Sequence, residues 1–248
     1  MFLQNLEIGE GPKNINDRKH LAFESNVGDS ILYYQGYSVI YSYYHKLPLF
    51  TFHHLTIDQL TIDSTRSSVK RSSSYFVETL PNGTISATNI DYKKSGYDRG
   101  HMVPAGDFVW DKELKDETFY YTNINPQIPT LNRGIWRNLE IRIRGKVLSY
   151  SEGAYVVTGV VFNPNYRELI GPNNMPVPVA FFKMVYFVDK QKIFAFLFDN
   201  TIERYYGDLT DFQVTVDFIE KITNEDFFDL IDDEIETKIE SIILNFNE

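Results

Sequence analysis

The aromatic content of this chain constrains its fold most. It holds 17 tyrosines and 19 phenylalanines among 248 residues, and aromatic side chains favour the pleated, half-buried surface of a sheet. They gather with valine and isoleucine in short runs. Ile31 to Tyr44, with Gly36-Tyr37-Ser38-Val39-Ile40-Tyr41 inside it, predicts a strand, continued by Leu49 to Leu55 after a break at Pro48. Ala154 to Phe162 predicts another, with Gly159 inside it. Val179 to Val188 and Ile193 to Phe198 predict a hairpin that turns at Asp189-Lys190-Gln191. Thr84 to Tyr92 and Thr118 to Ile124 read as shorter strands, the second ending in Asn125-Pro126-Gln127.

Helical periodicity is confined to fewer segments. Between Leu131 and Tyr150, Ile135, Leu139 and Ile143 form an apolar stripe, with Trp136 and Val147 beside it. Asp107 to Glu117 suits a short helix, Val214-Thr215-Val216 leads into one through Lys221, and Thr223 with Asp226 suits the cap of another. Asp232 to Phe246 predicts a final amphipathic helix with Ile235, Ile239, Ile242 and Ile243 on its buried side. No repeat and no Gly- or Ser-rich linker divides the chain. The expectation is one α+β domain over residues 30–248, a mainly antiparallel sheet flanked by helices, after an N-terminal arm at 1–29.

Several function classes fall away on composition. The chain has no cysteine, which excludes disulfides, thiolate metal sites and cysteine nucleophiles. No run approaches the ~18 apolar residues of a membrane span. Met1 to Lys19 lacks the basic start and apolar stretch of a signal peptide. The expected location is therefore cytoplasmic, or secreted or periplasmic where a leader has been removed. The net charge of −10 argues against a general polyanion binder, but the charge is uneven. Ser64 to Lys146 holds 13 Lys and Arg against 9 Asp and Glu, whereas Asp199 to Glu248 holds 3 against 15. The central stretch can thus face a phosphate-bearing substrate, and the acidic tail is expected to face away from it or to meet a partner.

Chemistry concentrates in that central stretch. Asp98-Arg99-Gly100-His101 places an imidazole beside a guanidinium and a carboxylate, with a glycine for close backbone approach and Pro104 to end any regular element. Asn132, Trp136 and Glu140 lie on successive turns of the long helix, so Asn132 and Glu140 share one broad face. A metal-assisted phosphodiester cut needs a base for water, a divalent cation for the developing charge and a cationic group for the phosphate oxygens. His101 can be the base. Asn132 offers one amide oxygen to a largely hydrated Mg²⁺, and Glu140 can hold the waters around it. Arg99 and Arg71 can address phosphate. Arg66, Lys70 and Arg71 lie in a serine-rich stretch, which reads either as a solvated loop or as a phosphate-facing one. The remaining histidines, His20, His45, His53 and His54, lack metal-ligand spacing and read as structural or surface residues. Asp232-Asp233-Glu234 reads as the acidic start of a helix.

Three blocks together resemble the DNA/RNA non-specific endonuclease family. They are Asp98-Arg99-Gly100-His101, then Thr122-Asn123-Ile124-Asn125-Pro126-Gln127, then Leu131-Asn132-Arg133-Gly134-Ile135-Trp136-Arg137-Asn138-Leu139-Glu140. Gly36 to Val39, Thr158 to Phe162 and Val177 to Lys183 resemble the family's scaffold segments. The resemblance implies a ββα-metal finger and cleavage of DNA and RNA with Mg²⁺, for which Mn²⁺ can substitute, leaving 5′-phosphate ends. By the same resemblance His101 is the base, Asn132 the metal ligand and Glu140 the residue that orders metal-bound waters. Asn123 positions His101 or those waters, Arg99 and an upstream arginine, best fitted by Arg71, contact phosphate, and Asp98 anchors the finger. A homodimer is a further implication. Two rival readings remain, a non-catalytic nucleic-acid-binding module on the same fold and a phosphodiesterase for small nucleotides.

Overall fold

The computed structural model describes residues 30–61, 72, 74–150, 153–163, 168–201, 204–228, 231 and 233–247. The expected arm at 1–29 and the loop carrying Arg66, Lys70 and Arg71 lie outside the described residues.

A seven-stranded sheet forms the centre, and every neighbouring pair in it is antiparallel. Its strands are β1 (Ser30–Tyr33), β2 (Tyr37–Ser42), β3 (Leu47–Thr56), β6 (Gly153–Val161), β9 (Ala180–Phe187), β10 (Lys192–Asp199) and β11 (Gln213–Val214), in that spatial order. Inserted after β3 come α1 (Ile57–Thr61), α2 (Asn89–Tyr92), β4 (Asp98–His101), α3 (Lys112–Glu117), β5 (Ile124–Gln127) and α4 (Trp136–Tyr150). The short pair β7 (Leu169–Ile170) and β8 (Met175–Pro176) lies between β6 and β9, and α5 (Val216–Thr223) and α6 (Asp233–Glu240) close the chain. Among the described residues no helix is long and apolar enough to cross a membrane.

The sheet is covered on both faces, which is why its strands read as near-continuous apolar runs. Alternation along β9 separates the two sides. Lys183 points to the α4 side, where its ammonium lies 4.8 Å from the centre of the Trp136 ring. Phe182, one residue earlier, points to the other side and meets Phe227, which also packs on Phe50. Phe228 meets Tyr186 on that same second side. On the α4 side Trp136 sits edge-on to Phe181 and Phe198, and Leu139, Ile143 and Val147 are buried along the expected stripe.

Some expectations shift. Ile31 to Tyr44 is two strands rather than one, because the chain turns back between Tyr33 and Tyr37. Thr84 to Tyr92 is not a strand: apart from an isolated bridge at Ile85 it is irregular and ends in the helical turn α2, where Thr88 and Asp91 cap each other. The strand read at Thr118 to Ile124 begins only at Ile124, since Tyr121 to Asn123 form a tight helical turn. Thr223 starts no helix; it ends α5, with Asn224 in the left-handed conformation beyond it. The last helix stops at Glu240, leaving Ile242 and Ile243 exposed, because the chain turns so that Phe246 can pack on Phe194 and Phe196.

Candidate active site

The candidate site is built on a small unit outside the main sheet, two antiparallel strands followed by a helix. In β4 and β5, Asp98 faces Gln127, Arg99 faces Pro126, Gly100 faces Asn125 and His101 faces Ile124. The unit is pinned to the sheet by Asn125, whose Nδ2 donates to the Pro48 carbonyl in β3 at 2.8 Å. Glycine at position 100 is a packing requirement: a Cβ there would lie 2.5 Å from Gln127 Oε1 and 2.7 Å from Gln127 Cβ.

Asp98 joins the strand pair to the helix. Its carboxylate accepts from Asn132 Nδ2 at 2.9 Å and from Arg133 Nε at 2.7 Å and Nη2 at 2.5 Å. Burial alone would raise its carboxyl, but the bonds from Arg133 and Asn132, with the charges of Arg133 and Arg99, outweigh it and hold the group below its ordinary value. Asp98 is therefore a carboxylate at neutral pH and can only accept. That fixes the orientation of the Asn132 amide, with nitrogen towards Asp98, and leaves Oδ1, the atom a cation would use, without a protein donor among the described residues. Asn132 lies in a wide π-type turn, Leu131–Ile135, ahead of α4, in which Gly134 departs from helical geometry. Such widened turns re-aim side chains and recur at functional sites.

His101 ends β4 and is partly exposed. Its ring lies edge-on to Phe119 at 4.8 Å and 5.6 Å from Tyr75. Arg99, two residues back on the same side of the strand, places its guanidinium 4.4 Å from the Tyr75 ring centre and donates to Asn89 Oδ1 at 2.7 Å. His101 and Arg99 thus share one aromatic platform. Arg71 lies outside the described residues.

Residues 16–234 match the family described as DNA/RNA non-specific endonuclease. The chain belongs to that family. Nuclease C1 of Cunninghamella echinulata var. echinulata is 34% identical over 214 residues, which is 80% of this chain and 82% of that protein. Mitochondrial endonuclease G of Bos taurus is 37% identical over 139 residues, covering 52% of this chain, and the match spans about half of that relative's length, 46%. A crystal structure of an EndoG/EndoGI complex superposes with a TM-score of 0.73 at 27% identity, covering 83% of this chain and 88% of that one.

Within this endonuclease-family fold, Asn123 sits apart from the solvent-facing groups. It is fully buried, its Oδ1 accepts from Val103 N at 2.9 Å, and its Nδ2 donates to the carbonyls of Val103 (3.0 Å) and Thr118 (2.9 Å). With its backbone carbonyl accepting from Met102 N at 3.0 Å, it braces the two residues that follow His101. Glu140 is half-buried on α4. Its charge acts on Lys183, a buried lysine that the sequence marks only as scaffold. Lys183 Nζ donates to Thr158 Oγ1 at 2.5 Å and to the Met102 carbonyl at 3.3 Å. Burial pushes its ammonium down to about 8, while Glu140 and Asp107 oppose that shift. Lys183 therefore ties the residue after His101 electrostatically to Glu140. A second buried network backs the same loop: Asp107 accepts from His53 Nε2 at 2.9 Å and from Arg144 Nη1 at 2.6 Å.

Proposed function

We propose that this protein is a Mg²⁺-dependent, sugar-non-specific endonuclease that hydrolyses phosphodiester bonds of DNA and RNA and leaves 5′-phosphate ends. The observation that carries the reading is the Asp98–Asn132 junction. It leaves one neutral amide oxygen, Asn132 Oδ1, without a protein donor among the described residues, at the start of a helix whose next two turns carry Trp136 and Glu140, on the unit that also holds His101. A single neutral oxygen suits Mg²⁺, which dehydrates reluctantly and keeps most of its waters.

His101 takes the proton of the attacking water as the water oxygen bonds to phosphorus. The bond from phosphorus to the 3′ oxygen breaks, that oxygen acquires a proton from solvent, and the phosphate stays on the 5′ side. Asn132 Oδ1 would hold a divalent cation, which when bound would offer positive charge to the phosphate oxygens as they gain negative charge. Glu140 would accept hydrogen bonds from the waters around such a cation, and Arg99, held over the Tyr75 ring, offers positive charge to the same phosphate. Contacts to phosphate and sugar give little sequence preference.

Supercoiled plasmid and a structured RNA are both expected to be cut in Mg²⁺ and spared in EDTA, with product ends that a ligase joins without prior phosphorylation. Binding of both nucleic acids without any cleavage in Mg²⁺ or Mn²⁺ would establish the non-catalytic reading instead. Cleavage of a dinucleotide but not of plasmid would establish the small-nucleotide phosphodiesterase.

The Asp98 junction makes a separate prediction. Asp98→Ala frees the Asn132 amide to rotate and removes the partner of Arg133. Groups that orient a metal ligand typically contribute 10- to 100-fold in metal affinity or activity. The Mg²⁺ concentration for half-maximal cleavage is expected to rise by about that factor, read from a titration of initial rates. An unchanged Mg²⁺ dependence would separate Asp98 from the cation.

A further inference from the structure

On the sheet face away from β4 and β5, α5 and α6 bring three carboxylates together. Asp217 and Glu220 lie one turn apart on α5, and Glu240 closes α6. One carboxylate oxygen from each lies within 4.8 Å of the other two. Glu240 is only 5% exposed, and its Oε1 is buried with no hydrogen-bond partner. Glu220 spends Oε1 on the backbone N–H of Phe227, at 2.9 Å. None of the three carboxylates is in an ion pair with a Lys, Arg or His among the described residues.

A buried carboxylate with an unmet oxygen, beside two others, is costly unless it takes a proton or a cation. Phe227 and Phe228, between the two helices, are anchored on Phe50, Phe182 and Tyr186, so the arrangement is held in place by core packing. The donor set is oxygen alone, which selects a hard cation. Calcium binds carboxylate oxygens at about 2.4 Å, so two oxygens on opposite sides of one ion stand about 4.8 Å apart. All three oxygens fall within that span. Asp217 is exposed, which leaves room for water to complete the six to eight ligands that Ca²⁺ takes.

We propose that Asp217, Glu220 and Glu240 form a Ca²⁺ site that fastens α6 to α5, separate from the cation proposed at Asn132. Its role is to neutralise the acidic C-terminal part of the chain where two short helices meet. It makes no contact with the reacting phosphate.

The test is calorimetric titration of Ca²⁺ and thermal unfolding with and without Ca²⁺, on the full chain at neutral pH. The wild type and Asn132→Ala are both expected to bind Ca²⁺ and to unfold about 5–10 °C higher at Ca²⁺ roughly 100-fold above its dissociation constant. Glu240→Gln and Asp217→Asn are expected to lose that binding and that shift, yet to cleave plasmid in Mg²⁺ at the wild-type rate. Asp217→Asn alters an exposed side chain and leaves the packing of Glu240 in place. The proposal is overturned if Ca²⁺ leaves the wild type unmoved, if Glu240→Gln and Asp217→Asn keep the full response, or if Asn132→Ala alone removes it. The first of these outcomes, with Glu240→Gln unfolding higher than wild type, would identify the cluster as carboxylates sharing a proton.

Discussion

Replacing His101 with alanine is expected to lower cleavage of plasmid DNA in Mg²⁺ by about 10²–10⁴-fold, the usual contribution of a positioned general base. The fold is expected to survive. His101 is the last residue of β4 and partly exposed, and its ring contacts are with Phe119 and Tyr75. Such contacts contribute about 0.5–1.5 kcal/mol each, against about 5–15 kcal/mol for a domain. The strand pairing of His101 with Ile124 is made by backbone and persists in the variant. Nucleic-acid binding is expected to persist as well, since Arg99 and Asn132 remain. Initial rates on supercoiled plasmid, a thermal melt and a binding isotherm on the same preparation separate these effects. A folded variant that cuts at the wild-type rate would take the base role from His101. A variant that fails to bind would move His101 to substrate positioning. Added imidazole, which can enter the space left by the ring, is expected to restore part of the lost rate.

Elements with a local signal were legible in the sequence, and contacts made only by the fold were not. The hairpin of β9 and β10 was readable because apolar runs flank Asp189-Lys190-Gln191, and Gln191 takes the left-handed conformation there. The long helix was readable from its stripe. Its wide first turn was not, because Gly134 weakens a helix in any context and does not announce which way it bends. The position before the turn falls to Thr130, and the Asn132 side chain turns to Asp98. That pairing crosses 34 residues, and no local rule predicts it. Lys183 was hidden for a related reason. Lysine is almost never fully buried unless paired, so a lysine in the middle of an apolar strand reads as a residue turned to solvent. Only the fold places the Met102 carbonyl, Thr158 and Glu140 around it. His53 read as structural or surface, and its contact with Asp107 places it among the structural residues. At the C-terminus the isoleucine spacing continued past Glu240, but the gain from seating Phe246 against Phe194 and Phe196 ended the helix first.

Asp107→Ala is expected to be the most destabilising single substitution near the site, at about 3–5 kcal/mol, the usual cost of removing one partner of a buried ion pair. Asp107 is 4% exposed and accepts from two side chains on different elements, His53 of β3 and Arg144 of α4. Its negative charge also supports the buried ammonium of Lys183. Alanine leaves Arg144 and Lys183 facing each other with Glu140 as the remaining nearby anion, and Gly106, whose Cβ would lie 2.9 Å from Arg144 Nη1, allows no larger neighbour to fill the gap. The effect has a pH signature. Burial alone would raise the Asp107 carboxyl, but the hydrogen bond and charge of His53, with Arg144, outweigh it and hold the group below its ordinary value. A carboxyl lowered by folding stabilises the protein fully above its unfolded value of about 3.9, and that contribution is lost as pH falls through the folded value. Urea unfolding is therefore expected to separate wild type from Asp107→Ala by the full amount at neutral pH, with the gap beginning to narrow only below about pH 4 and closing as pH falls through the lowered folded value. Asp107→Asn, which keeps an acceptor and loses the charge, is expected to fall between them. A gap between wild type and Asp107→Ala that stays constant down to strongly acid pH would mean that Asp107 contributes by filling space rather than by its charge, and the ionic bracing of α4 beneath the His101 loop would have to be abandoned.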